Sequence, residues 1–241
     1  MNNPFDFFEK IFCINLDVRT DRWSEAQDEF RKVGILDRVE RWSASPKLPA
    51  SDPQAKISPK WCRDGVELGC IPRARDDLDI IRLCKDKGYK NVLIFEDDVK
   101  FINYNPETVQ MCMDKVSKDS DWDMLYLGGR PRTYNYYNKT HRWATRNNTH
   151  LVIQPKDVLW TVGYCINESI YDKILNHLPT RADWKWGTLA IDQYYVQMTK
   201  KRNGCAGAYI KALCICPIIV TQSGSPSTLR GGRNGKWKGP V

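Results

Sequence analysis

The chain predicts an α/β fold with a mostly parallel central sheet and helices on both faces. Three observations carry that expectation. Strand-like and helical segments alternate through the first half of the sequence, the pattern of successive βαβ units. Val92-Leu93-Ile94-Phe95 is an unbroken apolar run, which suits a strand covered on both faces rather than one. That run ends in Glu96-Asp97-Asp98, at the carboxyl end of the strand, where open α/β sheets hold their ligands.

Taken in order, Lys10 to Leu16 reads as the first strand and Asp17 to Asp21 as the turn after it. Thr20 has the side chain of an N-cap, and Trp23, Ala26, Phe30 and Val33 recur at spacings of three and four, forming one apolar helical face. Gly34 stops that helix. A second strand is expected at Arg38 to Ala44, then a Pro- and Ser-containing loop to about Asp64. Glu67 to Lys87 reads as a helix with Cys70, Ala74, Leu78 and Ile81 on one face and Gly88 as its stop. After the carboxylate strand, Asn105-Pro106 opens another helix with a cap and a first-turn proline.

Asp123 to Gly129 is a further buried strand ending in glycines. Arg130 to Asn148, rich in Tyr, Asn, Arg and Thr, has no helical period and reads as a long loop or hairpin that could form part of an acceptor site. Trp160 to Ile166 is strand-like, Glu168 to Leu178 a helix stopped by Pro179, Leu189 to Lys201 another helix, and Ile210 to Val220 a final strand broken by Pro217. From Leu229 the sequence turns basic and glycine-rich. Residues 1–228 are therefore expected to form one domain and 229–241 a mobile tail.

Composition narrows the function classes. With 241 residues, 41% hydrophobic and 27% charged, the chain can bury a substantial core, which excludes disorder as the default. No apolar run reaches the roughly 20 residues of a membrane span, and the N-terminus lacks the basic and apolar regions of a signal peptide. A soluble, cytoplasmic protein without its own anchor is the expectation. The net charge of +8 favours acidic partners such as nucleic acids, anionic membranes or nucleotide diphosphates. No nucleic-acid reading motif is present, so a nucleic-acid partner is not expected. The nine cysteines are scattered without a CxxC pair, which speaks against zinc and for buried free thiols in a reducing compartment, with room for one or two disulfides.

Three adjacent carboxylates are unfavourable unless a cation or hydrogen bonds compensate them. Oxygen-only ligands suit Mg²⁺ or Mn²⁺, an ion that would in turn hold phosphate. By residue type alone, three acids after a strand are more often a solvated turn, and Arg19 and Arg22 more often exposed charges.

The order of motifs adds to this. Ile14-Asn15-Leu16-Asp17 followed by Arg19, Asp21 and Arg22, then Glu67-Leu68-Gly69-Cys70, then Leu93 to Val99, then Trp122 to Gly129 resembles glycosyltransferase family 25. That family includes bacterial lipooligosaccharide and procollagen galactosyltransferases, and the resemblance runs from about Lys10 to about Ser225. It implies a GT-A-like fold, a UDP-sugar donor, Mn²⁺ or Mg²⁺, and inverting transfer of a hexose, galactose or glucose, to a hydroxyl of a glycan or protein acceptor. Glu96 and Asp98 then take the places of a DxD-like metal pair, with Glu96 alternatively on the ribose. Asn15, Leu16, Arg19 and Arg22 are expected to line the nucleotide pocket, with Asp97 and Gln222 completing it. Asp192, in Ala190-Ile191-Asp192-Gln193-Tyr194, is the candidate base for the acceptor hydroxyl, or else the cap of the helix it starts.

Two departures from the family pattern stand out. Where members commonly read Gly-Cys-x-x-Ser-His, this chain has Gly69-Cys70-Ile71-Pro72-Arg73-Ala74, so the role of the missing pair is lost or taken by Arg73 or Arg75. No histidine follows His177, where many GT-A enzymes add a C-terminal metal ligand, and Gln222 and Ser223 occupy that region instead. Weak metal affinity, or metal that binds only with the donor, is expected. The alternative is a non-catalytic relative that binds a nucleotide sugar or glycan without turnover. The residues select neither the donor sugar, the acceptor nor an oligomeric state.

Overall fold

The computed structural model describes residues 3–47, 67–132, 151–155, 157–180, 190–199 and 210–224. The greater part of the loop expected before Glu67, most of the Arg130 to Asn148 loop and the basic tail lie outside these residues.

The chain begins with β1 (Lys10–Asn15), α1 (Thr20–Lys32), β2 (Val39–Ser43), α2 (Glu67–Lys87) and β3 (Asn91–Glu96). This is the alternation expected of parallel pairing, and β1 does pair parallel with both β2 and β3. Next come β4 (Val99–Phe101), α3 (Pro106–Ser117), β5 (Met124–Tyr126), β6 (Arg130–Arg132), β7 (Val152–Ile153), β8 (Asp157–Leu159) and β9 (Gly163–Asn167). The described chain closes with α4 (Tyr171–Thr180), α5 (Ile191–Thr199), β10 (Ala212–Ile215) and β11 (Val220–Gln222). The seven-stranded main sheet has the order β2-β1-β3-β9-β5-β10-β7. Strands β2, β1, β3, β5 and β10 share one direction, while β9 and β7 run against them. The result is the α/β, mostly parallel architecture expected, and it is consistent with a GT-A-like fold.

Period-two alternation divides the core into two slabs. Ile11 and Cys13 of β1 point to one face, among Ala26 and Phe30 of α1 and Val109 and Met113 of α3. Phe12 and Ile14 point to the other, among Ile80 and Ile81 of α2, Ile174 of α4 and Tyr195 of α5. The apolar stripe foreseen on α2 is buried at Cys70, Ala74, Leu78 and Ile81. Asn105 caps α3 by accepting the Thr108 N–H at 2.7 Å, and Gly34 and Gly88 both hold the positive φ that favours glycine.

Several boundaries differ from expectation for local reasons. Thr20 is the first helical residue of α1, not its cap; Arg19 takes the cap position, and its side chain makes no capping hydrogen bond. Trp160 has φ 68°, which bends the chain out of extended geometry, so β9 begins at Gly163 and the strand does not start at Trp160. Pro179 sits in the final turn of α4 and the helix runs one residue past it, to Thr180; a proline there costs one hydrogen bond rather than the helix. Ile210 to Val220 is two strands in two sheets. Pro217 has no N–H to continue the ladder, and after it β11 leaves the main sheet to pair antiparallel with β4.

That small ribbon approaches the main sheet closely at Gly128. A Cβ there would lie 2.2 Å from the Val220 carbonyl oxygen, so only glycine admits β11. No helix among the described residues is long and apolar enough to cross a membrane.

Candidate functional site

The alternation that builds the core also sorts the three acids. Glu96 continues the side of Val92 and Ile94, towards α2, and Asp97 turns towards α1. Asp97 is held on both oxygens. Arg22 of α1 donates to Oδ1 at 2.8 Å, and the Asn15 amide donates to Oδ2 at 2.8 Å. Both partners are buried. Asn15 is fixed in turn, donating to the Arg19 carbonyl at 3.1 Å and accepting from Arg41 Nε at 2.9 Å.

Glu96 is held from the other face. Thr161 Oγ1 donates to Oε1 at 2.6 Å, and Arg73 Nη2 lies 3.6 Å from the same oxygen. Arg73 comes from α2, with its Nη1 2.8 Å from Asp77 Oδ2 and its Nη2 donating to the Tyr164 hydroxyl at 3.2 Å. That hydroxyl donates to Asp77 Oδ1, closing a buried triangle. Burial pushes the Asp77 carboxyl up, and Arg73 and Tyr164 oppose that shift. Burial likewise opposes the charge on Arg73, but Asp77, Tyr164 and Glu96 outweigh it, and the guanidinium stays cationic.

Asp98 is the acid left over. Its Oδ1 is buried with no hydrogen-bond partner among the described residues, and Arg22 Nη2 lies 3.9 Å from its Oδ2. Burial, reinforced by Glu96 and Asp97 against the pull of Arg22, pushes its carboxyl up to about 7. An orphaned carboxylate oxygen in a cluster of acids fits a hard cation that completes its shell with phosphate and water. Among the described residues no group of three or more His, Cys, Asp or Glu could hold a metal by itself.

The other sequence candidates surround this turn in different ways. Gln222 pairs with Val99 across the β4–β11 ribbon, and the Ser223 N–H donates to the Asp98 carbonyl at 2.6 Å, which brings the C-terminal segment against the acids. The Leu16 carbonyl accepts the Arg19 N–H at 2.8 Å, so Leu16 shapes the turn through its backbone. Arg19 forks onto exposed Asp21 at 2.9 and 2.8 Å, a hydrogen-bonded pairing that draws the Asp21 carboxyl down to about 2. Asp192 opens α5; its Oδ2 accepts the Trp160 N–H at 3.3 Å and its Oδ1 the Gln193 N–H at 2.7 Å. It therefore braces the segment whose next residue, Thr161, holds Glu96.

Sequence reasoning named Arg73 only as a substitute and missed Thr161, Asp77 and Tyr164. One signal was available: Arg73 and Asp77 stand four apart, directly beside the apolar stripe of Ala74 and Leu78, where an ion pair at a buried face marks a polar insertion into the core.

No family model matches the chain. It is 25% identical over 205 residues to procollagen galactosyltransferase 1 of Danio rerio, covering 80% of this chain and 32% of that protein. It is 24% identical over 178 residues to a glycosyltransferase 25 family member of Aedes aegypti, covering 70% of this chain and 28% of that one. The chain resembles glycosyltransferase family 25. It spans about a third of the length of these family 25 relatives or less. Among solved structures, a glycosyltransferase involved in the glycosylation of the major capsid of PBCV-1 has a TM-score of 0.44 at 12% identity, covering 86% of this chain and 81% of that one, a likeness too distant to carry an argument. Of the motif residues behind the family 25 resemblance, Asn15 and Arg22 both donate to Asp97, and Arg22 also lies beside Asp98.

Proposed function

We propose that the chain is a metal-dependent glycosyltransferase that moves a hexose, galactose or glucose, from a UDP-sugar to a hydroxyl of a glycan or protein acceptor with inversion. The observation that carries this reading is the buried, unpartnered Oδ1 of Asp98 at the carboxyl edge of the sheet. The kinship with family 25 proteins named as galactosyltransferases supports the choice of sugar.

In this reading Asp98, at the end of the turn, would hold Mn²⁺ or Mg²⁺ together with the donor's phosphates, and the ion would supply neutralisation of charge on the departing nucleoside diphosphate. The chain's own residues do the rest. Arg22 and Asn15 lock Asp97, so the turn that presents Asp98 cannot swing, and a fixed site avoids reorganisation when charge develops. Asn15, Leu16 and the Arg19 turn form the wall for the nucleotide, and Gln222 closes the opposite side. Asp192 accepts the proton of the acceptor hydroxyl.

Release of UDP from UDP-galactose and UDP-glucose, with and without Mn²⁺, tests the proposal. Metal-stimulated release that Asp98→Asn abolishes is expected. Absence of both release and UDP binding would overturn it. The non-catalytic alternative keeps one observation in its favour, the arginine at position 73 within reach of Glu96, and it predicts UDP binding without release.

A further inference from the structure

Arg73 entered the sequence reading only as a stand-in for the missing Ser-His pair, and its surroundings give it a defined task of its own. Its side chain is 12% exposed, so it is not a solvated charge that happens to lie near an acid. Asp77 and Tyr164 fix it from behind, and its Nη2 faces Glu96 Oε1 at 3.6 Å. The same oxygen already accepts the Thr161 hydroxyl at 2.6 Å. A divalent ion on Glu96 would have to displace Thr161 or share a carboxylate with an immobile guanidinium, and two cations at that range repel strongly away from bulk water. Among the described residues, Asp98 has no such occupant on its Oδ1.

We infer that Arg73 is a built-in cation for Glu96 that withholds this carboxylate from divalent metal, leaving the ion to Asp98 and the phosphates of a bound diphosphate. Arg73 is a positioning residue, not a metal ligand. The involvement of phosphate rests on the donor-site reading above; the withholding of Glu96 does not. Metal affinity is then low in the free protein and rises once a diphosphate supplies the missing oxygens.

The test is titration of the full chain with Mn²⁺ alone, followed by calorimetry or electron paramagnetic resonance. Removing Arg73 alone would strand buried Asp77, so the informative variant is the pair Arg73→Met with Asp77→Asn, which deletes both charges together. Free Mn²⁺ should bind this folded variant about tenfold more tightly than the wild type, the scale of one screened charge repulsion, while Arg73→Lys stays weak. A damaged site would lose affinity rather than gain it. Unchanged or weaker binding by the folded double variant overturns the inference, as does tight binding by the wild type. A second arm does not depend on that variant folding: in the presence of UDP, Glu96→Gln should leave Mn²⁺ affinity within about twofold and Asp98→Asn should abolish it, whereas equal loss in both overturns the inference. Failure of UDP to bind under any condition would sink the donor-site reading, and the titrations with Mn²⁺ alone would still judge Arg73.

Discussion

The carboxylate turn is gripped from both faces of the sheet, and the two grips leave different things over. On the α1 side, Arg22 and Asn15 each donate to one oxygen of Asp97, which anchors that acid. On the α2 side, Arg73 is shared between Asp77 and Glu96, while Asp98, next along the turn, has an oxygen with no partner among the described residues. Three adjacent acids of nearly one chemical type thus divide into a structural anchor, a tethered carboxylate and one with an oxygen left open among the described residues. What separates them is the number of oxygens the fold has already claimed.

The largest effect should come from breaking the α1 grip. Arg22→Met leaves Asp97 and Asp98 buried without their cation, and urea unfolding should show a loss of about 3–5 kcal/mol, the usual result of removing one member of a buried pair.

Asp98→Asn should act in the opposite direction. An unfolded Asp98 ionises near 3.8 whereas the folded one keeps its proton to about 7, so between these values the folded state binds more protons and wild-type stability falls as pH rises. The variant should flatten that part of the stability curve and gain on the order of 2 kcal/mol above pH 7, while losing metal-stimulated UDP release. A variant less stable than wild type at pH 8 would refute the assignment of Asp98 as the strained acid.

Smaller effects sharpen the α2 side. Tyr164→Phe removes the hydroxyl that donates to Asp77 and accepts from Arg73, and should cost about 1–2 kcal/mol by thermal or urea unfolding. Thr161→Val deletes only the donor to Glu96, with an expected cost of about 1 kcal/mol. If Thr161→Val proved more damaging than Arg22→Met, the ranking of the two grips would be reversed.

The parts of this arrangement that were legible in the sequence are those set by short-range pattern. The alternation of Ile11 to Ile14, the spacing of Ala26 and Phe30, the Asn105-Pro106 start and the abrupt end of Val92 to Phe95 in acids all act within one or two turns of chain. They located the α/β frame, whereas the association of Asn15 and Arg22 with the acids came only through the resemblance to family 25. What was hidden depends on distant partners. Nothing in Gly163 to Asn167 says that it will insert antiparallel between β3 and β5. Nor do three residues at Val99–Phe101 announce a pairing with Val220–Gln222 more than a hundred positions on. The different fates of Asp97 and Asp98 follow from where the buried arginine and asparagine reach, which no local period encodes.

The β4–β11 ribbon has a dynamic consequence. It consists of two three-residue strands, seated on the main sheet through the contact that Gly128 permits and tied to the turn by the Ser223 amide. A unit with so few ladder bonds can open without unfolding the seven-stranded sheet. In hydrogen–deuterium exchange the amides of Thr221 and Ser223 should therefore become labelled well before those of Leu93 and Ile94. A bound diphosphate that engages Asp98 should slow the first pair and leave the second unchanged, making this short ribbon the place where occupancy of the site is reported.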